Sequence, residues 1–267
     1  MQNFKLNETE ILSNQDWTFP TNTAYGPGRF KEIGDQCNKF GIRNPLIVTD
    51  NGSTKLPFIN ELKELLLKAN IKSDLFSEIS PNPREDEISV GCKKYKDGNH
   101  DSIIAIGGGS AMDGGKLICL TANNDIPLRD FEFELTPPKI SKDNPFPKII
   151  TIPTTAGTGA ETEITAMVTY LKEGMKFCMW HPDVRPVLAL VDPELTLGLP
   201  SSLTAWTGVD AMVHGRPHCT RAITEAIGQE LRVSPTGSCR YSGVADTASV
   251  ERIPSRFPAE YVDRSVL

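Results

Sequence analysis

Apolar positions along this chain alternate between two rhythms. Ser102 to Ile106 is a short β-branched run without a polar break, the pattern of a strand buried on both faces of a parallel sheet. Asn44 to Asp50, Leu75–Phe76, Lys148 to Ile152 and Pro186 to Val191 read as further strands. Between them the period lengthens. Phe58, Ile59, Leu62, Leu65, Leu66 and Ala69 fall on one helical face, and Phe30 to Phe40 and Glu85 to Lys96 also read as helices. Glu163 to Leu171 and Met175 to Trp180 predict a hairpin around Lys172-Glu-Gly174. Residues 1–24 are polar and weakly patterned, and 134–147 read as a surface loop rich in Pro, Lys and Asp. Strands alternating with helices predict an α/β fold with a parallel sheet.

The most informative stretch runs from Asp101 to Lys116. Gly107, Gly108 and Gly109 follow the buried strand at once, then Ser110, an N-cap type, and a helix-like run to Thr121. Strand, glycine turn and helix start offer bare N–H groups and a positive dipole end to a phosphate. A plain tight turn is the simpler alternative, but three glycines exceed its needs. Gly114 and Gly115 inside the helix each cost about 1 kcal/mol against Ala, which suits close packing on the sheet. The spacing is not the GxGxxG of an ordinary Rossmann fingerprint.

Ligands of such sheets lie beyond the carboxyl ends of the strands, where Asp50, Asn82 and Gly107 to Ser110 fall. Asp50 could accept from a ribose or simply cap the Asn51-Gly52 turn. Pro153-Thr-Thr-Ala-Gly-Thr-Gly-Ala-Glu161 is either a polar cradle for a nucleotide or a solvated turn. Ser201 opens a helix on which Asp210 and His214, four apart, share a face. That spacing suits a divalent metal or a local Asp–His pair.

Composition narrows the partners. The chain has 267 residues, 39% of them hydrophobic and 23% charged, with a net charge of −6, which argues against nucleic acid. No apolar run approaches the roughly 20 residues of a membrane span. No secretory signal is visible at Met1 to Lys5, and the six cysteines are scattered without a C-x-x-C pair. Reduced thiols and a cytoplasmic location are the expectation.

Taken together the motifs resemble those of the iron-containing (group III) alcohol dehydrogenases, relatives of dehydroquinate synthase and glycerol dehydrogenase. The segments that carry the resemblance are Tyr25-Gly-Pro-Gly28, Leu46 to Asp50, Gly107 to Lys116, Thr151 to Glu161, Val191 to Leu195 and Thr207 to His214, in order across about residues 20–214. The resemblance implies a nucleotide-binding α/β domain at 1–198, dehydroquinate synthase-like, followed by a mainly helical, metal-binding part at 199–267. It implies that Gly107, Gly108, Gly109, Ser110 and Asp113 hold the pyrophosphate side of NAD. By matching position, Thr154, Thr155 and Thr158 would line its phosphate and nicotinamide end, Lys176 the ribose there, and Asp50 the adenosine ribose. Asn82 is carried over with them. Asp210 and His214 match two metal ligands, the metal being Fe(II) in this family with Zn the alternative. The implied reaction moves hydride between an alcohol and NAD, with the metal as Lewis acid and no catalytic side chain beyond the metal site. The implied partner is a small alcohol or aldehyde, and dimers are common in the family.

The match stops at His214. The family supplies two further histidines downstream, whereas this sequence holds only His100, His181, His214 and His218. Gly215 and Pro217 interrupt the helix before His218. Residues 1–214 contain 16 Lys and 5 Arg, residues 215–267 no Lys and 7 Arg. Beyond Ala222 to Leu231 there is little helical periodicity in this segment. The expectation is a C-terminal part that is truncated, frame-shifted or divergent, with weak or absent turnover. A nucleotide-binding remnant, a hydroxyacid–oxoacid transhydrogenase and a maleylacetate reductase relative are the competing readings.

Overall fold

The computed structural model describes residues 15–18, 21–212, 230–233 and 239–242. His214, His218 and residues 222–229 lie outside the described residues. A compact unit runs from Met1 to Gly208 and a second from Val209 to Leu267.

In the first unit the strands are β1 (Gln15–Thr18), β2 (Asn22–Tyr25), β3 (Pro45–Asp50), β4 (Asp74–Ile79), β5 (Ser102–Gly107), β6 (Lys148–Pro153) and β9 (Leu188–Val191). They form one sheet in the order β1-β2-β9-β6-β5-β3-β4. Six of these strands pair in parallel, and β1 is an antiparallel edge on β2. The expected strands and the parallel sheet are present. The β1–β2 pair comes from the segment whose pattern predicts no element.

Helices α1 (Ile33–Phe40), α2 (Pro57–Lys68), α3 (Glu85–Asp97) and α4 (Gly109–Ala122) cover the sheet. Strand β5 shows how the layers arise. Ile103 and Ala105 join a core with Phe76, Ile88 and Ile118, while Ile104 and Ile106 join another with Ile33, Leu62 and Leu66. Period-2 alternation thus feeds two cores at once, which is why β5 is buried at every position and apolar from Ile103 to Ile106. A fully buried Ile or Leu contributes about 1.5–3 kcal/mol relative to exposure, so these two cores dominate the stability of the unit.

Helix α4 is the most deeply set of the four, with ten buried residues including Gly114 and Gly115. A Cβ on Gly115 would stand 2.7 Å from the Ala105 Cβ of β5. Glycine here buys a helix-to-strand approach that no side chain permits.

A hairpin of β7 (Thr165–Tyr170) and β8 (Met175–Trp180) pairs Thr165 with Trp180 and Tyr170 with Met175, as its pattern predicts. Its Ala166, Val168 and Met179 pack into the core that holds α4. Helix α5 covers residues 201–212. In the second unit the described elements are the end of α5 and an antiparallel pair, β10 (Glu230–Val233) and β11 (Cys239–Ser242). No helix among the described residues is long and apolar enough to cross a membrane.

Gly115→Ala should destabilise the protein by about 1–3 kcal/mol through overpacking against Ala105. Gly208→Ala, which meets nothing within 4 Å on α5, should be neutral or stabilising by up to about 1 kcal/mol. Urea melts of the two variants decide: equal effects would mean that α4 does not press on β5.

Candidate functional site

The carboxyl ends of β3, β5 and β6 are brought level by their register, which pairs Val48 with Ala105 and Gly107 with Pro153. Chain turns leave the sheet there. At β5 the backbone of Gly107 takes φ +143°, and an added Cβ would meet the Ala111 Cβ and an Asp50 carboxylate oxygen, each at 2.8 Å. Only glycine satisfies both the dihedral and the space. Gly108 is the N-cap of α4, with φ −80° and ψ −171°. The helical ladder opens with the Ala111 and Met112 N–H groups on the Gly108 carbonyl, so the Gly109 and Ser110 N–H groups stand in the first turn ahead of it. Ser110 is expected to be the cap residue, but its hydroxyl donates to the Pro81 carbonyl at 2.6 Å and ties the loop after β4 to the glycine turn.

A cavity of about 870 Å³ opens beyond these strand ends. Asp50, Gly108, Gly109, Ser110, Thr154, Thr155 and Thr158 all line it. The Thr154 N–H donates to the Gly107 carbonyl at 2.8 Å, which starts the threonine loop beside the glycine turn. A Cβ on Gly108 would touch Thr155 and one on Gly109 would touch Thr158, at 3.5–3.8 Å. The two loops therefore face each other across little more than the room for one methyl group. Asp50 accepts from the Ser53 N–H at 2.9 Å and the Ser53 hydroxyl at 2.8 Å. It caps the turn and borders the cavity.

The cavity also has an apolar wall that the motifs do not reveal. Leu56, Pro57 and Phe58 supply it from the start of α2, and Leu199, Pro200 and Leu203 from the approach to α5 and its first turn. Phe58 reads in sequence only as part of the apolar face of α2. Leu203 and Thr207 of α5 are half-buried and four apart, a signal that the exposed Trp206 between them obscures.

Four expected cofactor residues do not line this cavity: Gly107 shapes the turn behind it, and Asn82, Lys176 and Asp113 lie elsewhere. Asn82 and Lys176 line a separate recess of about 460 Å³ with Ser80, Arg84 and Thr169, which shares Pro81 with the main cavity. Asp113 lines neither of these. Its Oδ2 accepts from the Met167 N–H at 3.2 Å, and its Oδ1 lies 3.6 Å from Nζ of Lys116. Burial pushes the Asp113 carboxyl up from its ordinary range, against the pull of the Lys116 ammonium and the Met167 N–H.

The profile of the iron-containing alcohol dehydrogenases matches residues 20–193. The chain belongs to the iron-containing alcohol dehydrogenase family. It is 35% identical over 195 residues to a choline dehydrogenase of Bacillus subtilis (strain 168), covering 73% of this chain and 48% of that protein. It is 32% identical over 195 residues to an NAD-dependent methanol dehydrogenase of Bacillus methanolicus, covering 73% and 50%. Among solved structures it resembles a 1,3-propanediol oxidoreductase, with a TM-score of 0.69, 28% identity, and 77% and 52% of the two chains covered. A sulfoacetaldehyde reductase from Bifidobacterium kashiwanohense in complex with NAD+ gives 0.63 at 31% identity, over 72% and 49%. The chain spans about half the length of the curated relatives it matches.

The iron of the family name needs a donor set, and the described residues do not make one. No group of three or more His, Cys, Asp or Glu side chains is placed among them to hold a metal ion. Asp210 lies half-buried on α5, and its expected partner His214 is outside the described residues. His100 is buried with Nδ1 3.0 Å from the Asn44 carbonyl. His181 is buried with Nε2 3.0 Å from the Pro138 carbonyl, and its Nδ1 accepts from the Asp183 N–H.

Glu161, which closes the threonine loop, has its carboxyl pushed up chiefly by burial. The folded state holds that proton more tightly than the unfolded chain does. The associated stability is present below the ordinary carboxylate range and lost as pH rises through the folded value. Glu161→Gln should therefore gain stability over the unsubstituted protein, and the gain should be larger near pH 7 than near pH 4. Urea melts at both pH values with the same difference would contradict the burial.

Proposed function

We propose that this chain carries the NAD-binding half of an alcohol dehydrogenase that moves hydride between an alcohol and NAD. One observation carries the reading: seven side chains and amides singled out from the sequence line one cavity at the strand ends. The Gly108, Gly109 and Ser110 amides would receive the pyrophosphate, where the α4 dipole favours negative charge. Asp50, with Ser53 fixing its carboxylate, would accept from the adenosine ribose hydroxyls. A 2′-phosphate would meet that carboxylate, so NAD is preferred to NADP. Thr154, Thr155 and Thr158 would orient the dinucleotide from the opposite wall. The Phe58 and Leu203 wall would keep water from its apolar faces. Asn82 and Lys176 would serve an end of the dinucleotide that extends past Pro81.

When bound, NAD supplies the hydride acceptor, and the chain holds it in place. The described donors do not make up an iron site, so the assignment rests on the NAD cavity. The substrate is a small alcohol or aldehyde. The free thiols of Cys37, Cys92, Cys119 and Cys178 suit a reducing, cytoplasmic setting, and a homodimer is the assembly we propose.

A second reading is an NAD-binding chain without turnover. It is favoured by the engagement of His100 and His181 in structural hydrogen bonds, which leaves His214 and His218 as the remaining histidines of the sequence.

Calorimetry on the 267-residue protein tests both. NAD should bind, NADP should bind at least about tenfold more weakly, and Asp50→Ser should narrow that gap. Failure to bind NAD would remove both readings. NAD binding with no oxidation of a short-alcohol panel in the presence of Fe(II) selects the second.

A further inference from the structure

Lys116 sits on α4 two turns inside the glycine turn, with its side chain wholly inaccessible to solvent. Its Nζ donates to the Ala160 carbonyl at 3.0 Å and to the Thr165 carbonyl, and faces Asp113 Oδ1 at 3.6 Å. Two of the ammonium's three donors are used on these carbonyls, and the carboxylate stands beside it at ion-pair distance. Asp113, one turn earlier on the same helix, accepts from the Met167 N–H. One pair of charges thus grips the backbone at Ala160, Thr165 and Met167. Neither side chain lines the cavity.

The three gripped points matter because of what lies between them and the glycine turn. The threonine loop leaves β6 with its Thr154 N–H on the Gly107 carbonyl, and it ends with the Ala160 carbonyl on Lys116. Both tethers come from the strand–turn–helix unit that carries the glycine turn. Between the tethers Gly157 and Gly159 hold positive φ, so the loop has much conformational freedom to lose. These tethers, with the Thr151 hydroxyl on the Glu161 carbonyl, fix the ends of the loop that carries Thr155 and Thr158 beside Gly108 and Gly109.

We propose that the Asp113–Lys116 pair is a positioning brace: it sets the threonine loop over the glycine turn and so governs NAD affinity without touching NAD. This deepens the proposed function and rests on it for the ligand. A direct pyrophosphate ligand at position 113 is the expectation it replaces.

The test is amide hydrogen exchange on the full chain without ligand, followed by NAD titration, for Lys116→Met and Lys116→Gln. Both remove the charge, and the glutamine amide can still donate to one of the two carbonyls. The expected result is exchange faster by about tenfold across residues 154–167, with β3 and β5 amides unchanged. NAD affinity should fall by about tenfold or more, with the smaller loss for the glutamine variant. Unchanged exchange across 154–167 overturns the brace, as does loss of protection throughout the sheet in both variants. If the unsubstituted protein binds no NAD while exchange in 154–167 still rises, the brace stands and the cofactor assignment fails.

Discussion

The approach of α4 to β5 is the constraint from which the rest of the site follows. Strand and helix share one continuous stretch, and the helix must fold back over the strand that feeds it. With Gly115 against Ala105 the helix lies low on the sheet, and Gly107 lets the chain reverse beside Asp50 without a clash. The start of α4 is thereby held at the sheet's carboxyl edge, its first-turn amides facing the cavity. A bulkier residue at either glycine would lift the helix and move those amides. The effect of a helix dipole falls off within the first turn, so such a shift would change the field at the cavity.

The second theme is how this acidic protein spends its carboxylates. Asp50 holds the turn after β3 through Ser53. Asp192 accepts from the Gly28 and Phe30 N–H groups and joins the end of β9 to the turn after β2. Asp101 accepts from the Arg43 and Asn44 N–H groups. Glu87 does the same for Ser80 and Arg84. Each is a charge-assisted bond to backbone donors that the sheet and helices leave unpaired. The buried Lys116 is the counterpart with opposite sign, an ammonium serving backbone acceptors. Loops around a parallel sheet carry many such orphan groups, and short acidic side chains are the nearest partners.

The alternation of period-2 and helical stretches was enough to read β3 through β9 and α1 through α4 in order. That reading works because strands buried on both faces must be continuously apolar, and helices on one face must be amphipathic. It fails at Gln15–Thr18 and Asn22–Tyr25. A short strand at the sheet edge has little apolar surface to bury, so it leaves no periodic trace, and β2 is recruited by pairing with β9. The candidate site was legible to a similar degree. Glycines and threonines at strand ends announce it locally, and the residues of the apolar wall do not.

From the residues alone one can infer the parallel α/β architecture, the glycine turn at the end of β5 and the family, because each depends on short-range pattern. Which polar groups converge was settled by the fold, since convergence depends on strand register and on distances between residues far apart in the chain. Asp113 shows the difference. It sits in the motif three residues after Ser110, but helical geometry turns it away from the cavity and onto Met167 and Lys116. Spacing along a helix sets which side chains share a face, and only the packing of that helix against β7 settles what the face meets.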